Sequence, residues 1–328
     1  MLSRYSSLCL LICLFFGTGC HKQENDRLKI CFAGDLLLDR GVRQRIEHSG
    51  IDPVFANVSL LFHSSDAVIA NLECPVTYHK APLNKRFIFR GDPKWLGSLK
   101  KAGITHLTLA NNHTYDQGRD GITETYNQLI LHKIIPIGFG NRHTEACLPV
   151  IINKGGIQVA VFNSVLMPLE DFPFLPDKPC ICQASANELA SAVADYKLSN
   201  PKAFVVVVLH WGYEYQSIPE PVQRAEALKF VESGADAIIG HHPHVVQTIE
   251  FIKKIPVIYS LGNFVFDSHR PEASQGLIVQ LTFTNSTLSI KGYPIKITNC
   301  IPEITGKPID LSIHTGLNPV SAQPVSTN

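Results

Sequence analysis

The sequence predicts an α/β fold, and three observations lead to this prediction. First, 328 residues with 45% hydrophobic content are enough to bury a large core within a single domain. Second, short apolar runs rich in β-branched residues alternate along the chain with longer stretches of helical character. Third, several of these runs are followed at once by a polar side chain, and open α/β sheets bind ligands at this end of their strands.

The individual elements follow from these patterns. Five apolar runs are predicted strands: 28–33, 67–70, 106–110, 204–209 and 237–239. Four stretches between the strands are predicted helices: 93–102, 121–133, 186–198 and 221–233. Residues 151–162 are a predicted hairpin, because Gly155-Gly156 at their middle accommodates positive φ angles. Two final strands are predicted within 276–297.

The regions outside these elements give the domain boundaries. Residues 167–182 contain four prolines and are predicted to form a long loop, which is either a lid over a site or irregular surface packing. From Pro302 the chain turns rich in proline and serine, so we expect a poorly ordered tail over 302–328. The folded domain is therefore predicted to span 28–301.

Polar side chains follow the predicted strands at the point where each strand ends. Asp35 comes after the first strand and Glu73 after the second, while Asn112 and His210 follow the third and fourth. Taken singly, such residues have ordinary structural explanations, such as a helix cap, a turn or a core histidine. Because several of them end neighbouring strands, we expect them to converge at one edge of the sheet and form a site.

The fifth strand leads into the tripeptide His242-Pro243-His244. Proline fixes one backbone torsion and disfavours helix for the preceding residue, so the two imidazoles are expected to project from a rigid loop. Carboxylate, amide and imidazole ligands suit one or two divalent ions, with manganese, iron or zinc expected. A carboxylate such as Glu73 can bridge two ions about 3.5–4 Å apart, an arrangement that supports in-line attack on phosphorus. Hydrolysis is therefore the expected reaction.

Six segments resemble the CapA proteins of bacterial poly-γ-glutamate capsule synthesis, and they occur in the right order between about residues 28 and 283. They are GDLLLDR at 34–40, NLE at 71–73, NNHTYD at 111–116, HWG at 210–212, GHHPH at 240–244 and YSLGNFVFD at 259–267. CapA proteins are in turn similar to calcineurin-like metallophosphoesterases. The resemblance implies a four-layer αββα sandwich, in which two packed β-sheets are flanked by helices.

The same resemblance implies a role for each candidate residue. Asp35 and His244 would bind a first metal ion and Glu73 would bridge to a second ion, whose other ligands would be Asn112, His210 and His242. His113 matches the histidine that protonates the leaving group in the phosphoesterases. Asp116 is the expected orienting partner of His113.

One departure from the phosphoesterase pattern concerns the first metal ion. The pattern has Asp-x-His at its first motif, but the third position here is Leu37, which cannot bind a metal. The first ion is therefore expected to bind more weakly than the second, and both a single-ion centre and a pair with a labile first ion stay open. Further candidates for the site are Arg40, Asn263 and His241, of which Asn263 could help to hold the first ion.

The charge balance bears on the expected partners. The chain has 29 basic and 28 acidic residues and no basic stripe interleaved with aromatic residues, so nucleic acid is not expected. An anionic partner, such as poly-γ-glutamate or a phosphorylated envelope substrate, would need local basic groups. Candidates for such a groove are Arg40, Arg43, Arg45, Lys85, Arg86 and Arg90, although charges of this kind are more commonly solvated. By the resemblance, membrane synthase or export subunits are further expected partners.

The amino-terminal segment predicts export. Arg4 precedes an apolar stretch at 8–16 that is too short to span a bilayer, and small residues follow before Cys20. Residues 1–20 resemble a bacterial lipoprotein signal peptide, with Cys20 as the lipidated residue and 21–27 as a tether to the membrane of the cell envelope. Gly17 stands where such signals usually carry leucine, which leaves ordinary signal cleavage or a retained anchor as alternatives.

Six cysteines lie beyond the predicted signal peptide, and their pairing cannot be assigned from sequence. Cys31, inside the first predicted strand, is expected to be a buried apolar residue. Cys180 and Cys182 do not form a Cys-x-x-Cys redox motif and are expected in the long loop.

Two classes of function stay open at this point. The chain could be a metal-dependent hydrolase of the cell envelope with His113 as general acid, acting in capsule synthesis or on other phosphorylated envelope substrates. It could instead be a non-catalytic component that binds the polymer or its export partners through the same cleft. His113 favours the first class, because a purely structural metal site needs no proton donor, whereas Leu37 favours the second. A solute-binding lipoprotein ranks last, because two similar lobes are not evident.

Overall fold

The computed structural model describes residues 27–170, 172–268 and 270–311. The predicted signal peptide, Cys20 and nearly all of the predicted tether lie outside these residues. Within the described ranges the α-helices are α1 (Arg40–Ser49), α2 (Asp52–His63), α3 (Leu96–Lys101), α4 (Gly118–Leu131), α5 (His143–Ala146), α6 (Ala186–Ser199) and α7 (Pro221–Glu232). Short 3-10 helices occur at Pro93–Trp95 and Pro271–Ser274.

The strands in the same ranges fall into two large sheets and one small one. They are β1 (Leu28–Leu36), β2 (Ala67–Leu72), β3 (His106–Thr108), β4 (Ile135–Ile137), β5 (Phe139–Gly140), β6 (Val150–Lys154), β7 (Ile157–Val165), β8 (Cys180–Ile181), β9 (Phe204–His210), β10 (Ala237–His241), β11 (Ile249–Ile252), β12 (Ile255–Ile258), β13 (Asn263–Val265), β14 (Gln275–Phe283), β15 (Leu288–Thr298), β16 (Ile301–Ile304) and β17 (Ile309–Asp310).

The first sheet has the order β16-β15-β14-β1-β2-β3-β4, with β13 beside β1 and β17 beside β15. Strands β1 to β4 are parallel, and β14 runs antiparallel to β1. The second sheet has the order β11-β12-β10-β9-β7-β6, with β7, β9, β10 and β12 parallel and antiparallel strands at both edges. The carboxyl ends of the central strands therefore lie together within each sheet.

Alternate residues of the central strands serve two separate hydrophobic layers. Leu28, Ile30 and Phe32 of β1 pack in a core shared with β9, β10 and β14, which fills the space between the two sheets. Cys31 and Ala33, on the other face of β1, belong to the layer that helices cover. This alternation is the period-two pattern of strands buried on both faces. The predicted four-layer αββα sandwich is confirmed.

Most predicted elements are present with shifted ends. The predicted helix at 93–102 begins as the 3-10 turn Pro93–Trp95 before α3, and the helix predicted at 121–133 is α4. The hairpin at 151–162 is formed by β6 and β7. These shifts fall at element ends, where sequence patterns carry the least information.

The carboxyl-terminal boundary of the predicted domain needs correction. Residues 302–311 continue the first sheet, because β16 pairs with β15 at one end and β17 pairs with β15 further along. Leu311 is buried in the core between the sheets. The proline at position 302 is compatible with this arrangement because β16 is an edge strand. The rest of the predicted tail, from residue 312, lies outside the described residues.

The predicted loop 167–182 contains one short strand, β8, which pairs with β5. A disulfide joins Cys182, just after β8, to Cys147, just after α5. Cys31 is buried, as predicted, and so are Cys74 and Cys180. In the part of the chain that the structure describes, no helix is both long and apolar enough to cross a membrane.

Candidate metal centre

The end of β1 places Asp35 between two other polar strand ends. Asp35 is level with Asn71 of β2 on one side and with Asn263 of β13 on the other. Asn71 is in turn level with Thr108 of β3. The buried polar groups of the first sheet therefore gather at the carboxyl end of its parallel strands, as the sequence predicts.

The second sheet brings its histidines to the same place from the opposite side. His210 ends β9 and is level with His241, the last residue of β10. His210 Nε2 lies 3.8 Å from Glu73 Oε1, and His241 Nδ1 lies 3.4 Å from Asp35 Oδ1. The two sheets therefore meet at this edge, and the site belongs to both of them.

The turn after β10 holds His242 and His244 in an uncommon backbone conformation. Their φ angles are 96° and 58°, in a region that non-glycine residues rarely adopt. The turn is held in part by Tyr215, whose backbone N–H donates to Pro243 O at 2.8 Å. Conformations of this kind cost about 1–3 kcal/mol each and persist where the surrounding structure enforces them, often at functional sites.

The structure brings all six predicted metal ligands together. Two groups of side chains share Glu73: one adds Asp35 and His210, the other adds His242 and His244, and in each group the candidate ligand atoms lie within 4.8 Å of one another. Asn112 Oδ1 lies 2.9 Å from His210 Nε2. These groups of side chains could hold a divalent ion, and the shared carboxylate is the one that the sequence assigns as a bridge.

Several buried atoms at the centre have no hydrogen-bond partner. Among the described residues they include Asp35 Oδ2, Glu73 Oε1 and the Nδ1 atoms of three histidines, His210, His241 and His242. A buried polar atom without a partner costs about 1–3 kcal/mol, so a concentration of them at one point needs an explanation. A divalent cation supplies it, because carboxylate oxygens and imidazole nitrogens are its usual ligands.

The pKa values at the centre follow from burial and close approach. Burial raises the pKa of Glu73 well above its usual range, and the nearby Asp35 charge adds to this. Burial would also raise the pKa of Asp35, but His241 and His244 hold it well below its usual range. Burial lowers the pKa of His242 to about 3, so this imidazole is neutral and able to act as a ligand.

The pKa values of His244 and His210 shift in opposite directions, and burial and neighbouring charges again explain the shifts. Burial opposes the charge on His244, but the Asp35 carboxylate, 3.3 Å from His244 Nδ1, raises the pKa of His244 to about 9. Burial, followed by the neighbouring His242, lowers the pKa of His210 well below its usual range. Without a bound cation, the protonated His244 supplies positive charge beside the Asp35 carboxylate.

A pair of asparagines positions the carboxylates, and the sequence analysis did not assign them to the site. Asn71 Nδ2 donates to Asp35 Oδ1 at 2.8 Å and also to Glu73 Oε2. Asn111 Nδ2 donates to Asn71 Oδ1 at 3.1 Å, and Asn111 Oδ1 accepts from the backbone N–H of His113 at 3.0 Å. Both residues lie in motifs quoted above, and their burial beside charged groups is what reveals their role.

His113, the predicted proton donor, belongs to a buried chain of charged groups. His113 Nδ1 lies 2.9 Å from Asp116 Oδ2, and Lys85 Nζ lies 2.5 Å from Asp116 Oδ1. Lys85 also donates to Asn112 O at 2.9 Å, and the Phe89 N–H donates to Asp116 at 2.6 Å. Because Asp116 engages Nδ1, the Nε2 atom of His113 is the one available to a substrate.

On the side of the first metal ion, Leu37 stands where the phosphoesterase pattern has a metal-binding histidine. Leu37 is fully buried in the apolar layer under the helices. Two imidazoles from the side of the opposite sheet approach Asp35 instead: His244 Nδ1 lies 3.3 Å from Asp35 Oδ2, and His241 Nδ1 lies 3.4 Å from Asp35 Oδ1. Asn263 Oδ1 lies 2.9 Å from His244 Nδ1, so it orients that ring. Both additional candidates thus adjoin Asp35, with His241 offering an imidazole nitrogen that has no other partner.

The six basic residues considered for an anionic groove have different surroundings. Arg40 lies at the rim, where its side chain is 38% exposed. Lys85 is buried against Asp116. The other four make local contacts: Arg43 with Asp39, Arg45 with Ser49, Arg86 with Phe87 and Arg90 with Thr77 O. These six residues therefore do not form a continuous basic groove.

The two packed sheets and their flanking helices define the class as α/β proteins of the metallophosphoesterase fold. A 5'-nucleotidase precursor from Thermus thermophilus has a TM-score of 0.50 at 13% identity, over 84% of this chain and 56% of that one. A putative 5'-nucleotidase from Staphylococcus aureus has a TM-score of 0.53 at 14% identity, over 85% and 55% respectively. These likenesses concern the fold, and this chain spans little more than half of either structure.

Within that class, the chain belongs to the family described as bacterial capsule synthesis protein PGA_cap, whose pattern it matches over residues 29–268. The capsule biosynthesis protein CapA of Bacillus anthracis is 31% identical over 299 residues, which are 88% of this chain and 72% of the relative. The PGA biosynthesis protein CapA of Bacillus subtilis is 31% identical over 283 residues, 85% and 74% of the two chains. The predicted CapA resemblance is confirmed.

Proposed function

We propose that this protein is a metal-dependent hydrolase that acts in the synthesis or export of an anionic capsule polymer such as poly-γ-glutamate. One observation carries the proposal: a buried His–Asp pair, His113 and Asp116, adjoins a set of buried ligand atoms that lack partners. A site that only held a structural ion would not need an oriented proton donor. The family supports the role in capsule synthesis.

The residues divide the work of hydrolysis between them. Asp35, Glu73, Asn112, His210, His242 and His244 would hold one or two divalent ions, of manganese, iron or zinc. The ions would supply Lewis acidity toward the group under attack. Asn71 fixes the orientation of both carboxylates through its hydrogen bonds. His113 donates its Nε2 proton to the leaving group, and Asp116 keeps the ring in the tautomer that carries this proton.

A non-catalytic role is the second candidate, and Leu37 is the observation that favours it. With an apolar side chain at the first motif, the Asp35 side of the centre has one ligand fewer than the phosphoesterase pattern. A weakly held first ion would suit polymer binding in an assembly with membrane subunits better than turnover. A phosphoesterase acting on other envelope substrates is a variant of the first proposal and uses the same residues.

Metal analysis of the purified full chain tests the site itself. Wild-type protein should carry up to two equivalents of manganese, iron or zinc, and His242→Ala should lower that content. The matched control is His63→Ala, because His63 is an exposed histidine of α2 whose ring forms a hydrogen bond with Ser59 of the same helix. Equal metal content in wild type, His242→Ala and His63→Ala would contradict the metal centre.

Turnover distinguishes the two candidate functions. The metal-loaded protein should hydrolyse an oligomer of γ-linked glutamate or a simple phosphoester, and His113→Ala should abolish this while leaving the metal content unchanged. Loss of a general acid typically costs about 10²–10⁴-fold in rate. A protein that holds its metal and binds the oligomer but never cleaves any tested substrate would support the non-catalytic candidate.

Localisation is proposed separately. We infer that the protein is exported and held on the cell envelope through lipidated Cys20. Cys20→Ser should shift it from the membrane fraction to the soluble fraction of fractionated cells. An unchanged membrane fraction for this variant would show that another anchor holds the protein.

A further inference from the structure

Arg40 occupies a defined position at the rim of the metal centre. Its guanidinium carbon lies 5.6 Å from the ring centre of Phe89 and 5.9 Å from that of Phe266. Phe89 packs on His113 with ring centres 4.3 Å apart, and Phe266 packs on His244 with ring centres 4.9 Å apart. One aromatic ring therefore separates Arg40 from the proton donor, and one separates it from a metal ligand.

The surroundings of Arg40 fix the guanidinium in place. Its Nε and Nη2 atoms lie 3.0 Å from the two oxygens of Asp267, and the Gly41 N–H donates to the same carboxylate at 2.9 Å. The φ angle of Arg40 is 54°, an uncommon conformation for a side-chain-bearing residue. Because Asp267 contacts the Nε–Nη2 edge of the planar guanidinium group, the Nη1 edge can bind another acceptor.

A cleft of about 580 Å³ opens beside Arg40, and Phe266 and Asp267 also line it. This volume lies in the range of about 300–1,000 Å³ that small-molecule sites occupy. Among the residues that the structure describes, the polar lining consists of the Arg40–Asp267 pair, Gln44, Ser268, Asn299 and Cys300. Amide and hydroxyl groups of this kind pair with the amide groups of a polymer backbone.

We propose that this cleft is a substrate subsite in which Arg40 binds a carboxylate on a polyamide chain, one or more units away from the reacting bond. The assignment rests on the proposed function, since it takes the metal centre as the place where the chain is handled. The charge of the lining favours a carboxylate over a phosphate dianion. Asp267 already balances Arg40, so the pair offers directed hydrogen bonds to a single negative charge with little excess positive potential.

The reactivity of the Cys300 thiol can show whether the cleft is occupied. It is half-buried in the cleft, and both Arg40 and Asp267 are close enough for their charges to act on its pKa, which burial raises. The other free cysteines of the described residues, Cys31, Cys74 and Cys180, are buried. An occupant of the cleft should therefore protect the Cys300 thiol from alkylation, and mass spectrometry of the Cys300 peptide measures this protection.

The test uses the metal-loaded full chain with an oligomer of γ-linked glutamate as the probe. The oligomer should slow alkylation of Cys300 in wild type. Arg40→Gln should need about tenfold more oligomer for half-protection, the factor expected for one charged hydrogen bond. The matched control is Arg142→Gln, because the Arg142 side chain is 62% exposed and pairs with Glu145 of α5. It should behave as wild type.

A double variant separates anion binding from support of the fold. Arg40→Gln leaves Asp267 without its cation, which could distort the cleft, whereas Arg40→Gln with Asp267→Asn removes both charges together. If Arg40 binds the oligomer, the double variant stays defective. Recovery of wild-type protection in the double variant would overturn the proposal, and so would wild-type protection in Arg40→Gln alone.

Two further comparisons complete the design. Replacing the oligomer with a phosphomonoester, which is largely a dianion at neutral pH, should give little protection, and stronger protection by the phosphomonoester would overturn the carboxylate assignment. Metal content is measured on every sample. If the protein binds no metal but still shows Arg40-dependent protection, the subsite proposal stands and the metal-centre proposal fails. The two proposals can therefore fail separately.

Discussion

Replacing Lys85 with methionine tests whether the buried ion pair behind His113 is what supports the candidate catalytic loop. The Lys85 side chain is 5% exposed, the Asp116 side chain is fully buried, and the two charged atoms lie 2.5 Å apart. Methionine has a similar length and fills the space without a charge. The substitution therefore leaves the Asp116 carboxylate buried with only the N–H of Phe89 and the ring of His113 as partners.

The expected magnitude follows from the cost of an unpaired buried charge. Removing one partner of a buried pair typically lowers the free energy of unfolding by about 3–5 kcal/mol. Since Asp116 keeps two hydrogen-bond partners, we expect a loss near the lower limit, about 3 kcal/mol. For a domain of this size, that corresponds to a fall in Tm of about 6–10 °C.

Urea denaturation of Lys85→Met and Lys101→Met side by side measures the effect of burial. Lys101 pairs with Asp52 at 2.6 Å, but these side chains are 75% and 54% exposed. Exposed pairs of this kind contribute little, so Lys101→Met should unfold at the wild-type urea concentration. The double variant Lys85→Met with Asp116→Asn should recover part of the lost stability, because it leaves no buried charge.

The outcome that would refute this reasoning is equally specific. Equal stability of Lys85→Met and Lys101→Met would mean that burial does not control how much an ion pair contributes to the free energy of unfolding. A double variant less stable than Lys85→Met would mean that Asp116 contributes through His113 and Phe89 rather than through Lys85.

Two further predictions concern the stability of the fold. Burial, and then the charge of Lys100, lower the pKa of His106 from 6.5 to about 4, so the folded state resists its protonation. The free energy of unfolding is therefore not reduced by His106 above pH 6.5, and it falls by about 3 kcal/mol as the pH is lowered toward 4. His106→Gln should remove that part of the pH dependence in urea melts. Gly34→Ala should cost about 1–3 kcal/mol, since its Cβ would lie 1.9 Å from Gly262 O, whereas Gly97→Ala in α3, with 3.9 Å to its nearest neighbour, should be neutral or stabilising in thermal melts.

The sequence predicts the residues of the candidate site better than it predicts their supports. Asp35 and Asn112 follow apolar runs that form parallel strands of one sheet, and these strands share an edge at their carboxyl ends, so their convergence follows from local patterns. His210 follows a strand of the second sheet, and its approach depends on how the two sheets pack. The roles of Asn71 and Lys85 depend on which atoms face each other after the first sheet and the loops at its edge have folded. No spacing rule in the chain encodes that contact, so these supports appear only in the folded protein.

The disulfide, which the sequence left unassigned, and the wrong start of the tail have a similar cause. The disulfide joins Cys147 to Cys182 across 35 residues, and only the pairing of β5 with β8 brings the two segments together. The tail is predicted to start at 302 because proline and serine are common from there onward. The edge position of β16 tolerates Pro302, and that position depends on tertiary pairing with β15.

The asymmetry of the candidate centre follows from how the two sheets meet. Leu37 belongs to the apolar layer beneath the helices, so a histidine at that position would place a polar ring where α1 and α2 pack. The imidazoles beside Asp35 are supplied instead by His241, which ends β10 of the second sheet, and by His244 in the turn that follows it. The ligand geometry on this side therefore depends on the distance between the sheets, which contacts such as Phe204 against Phe283, 5.0 Å between ring centres, maintain from the far side of the core.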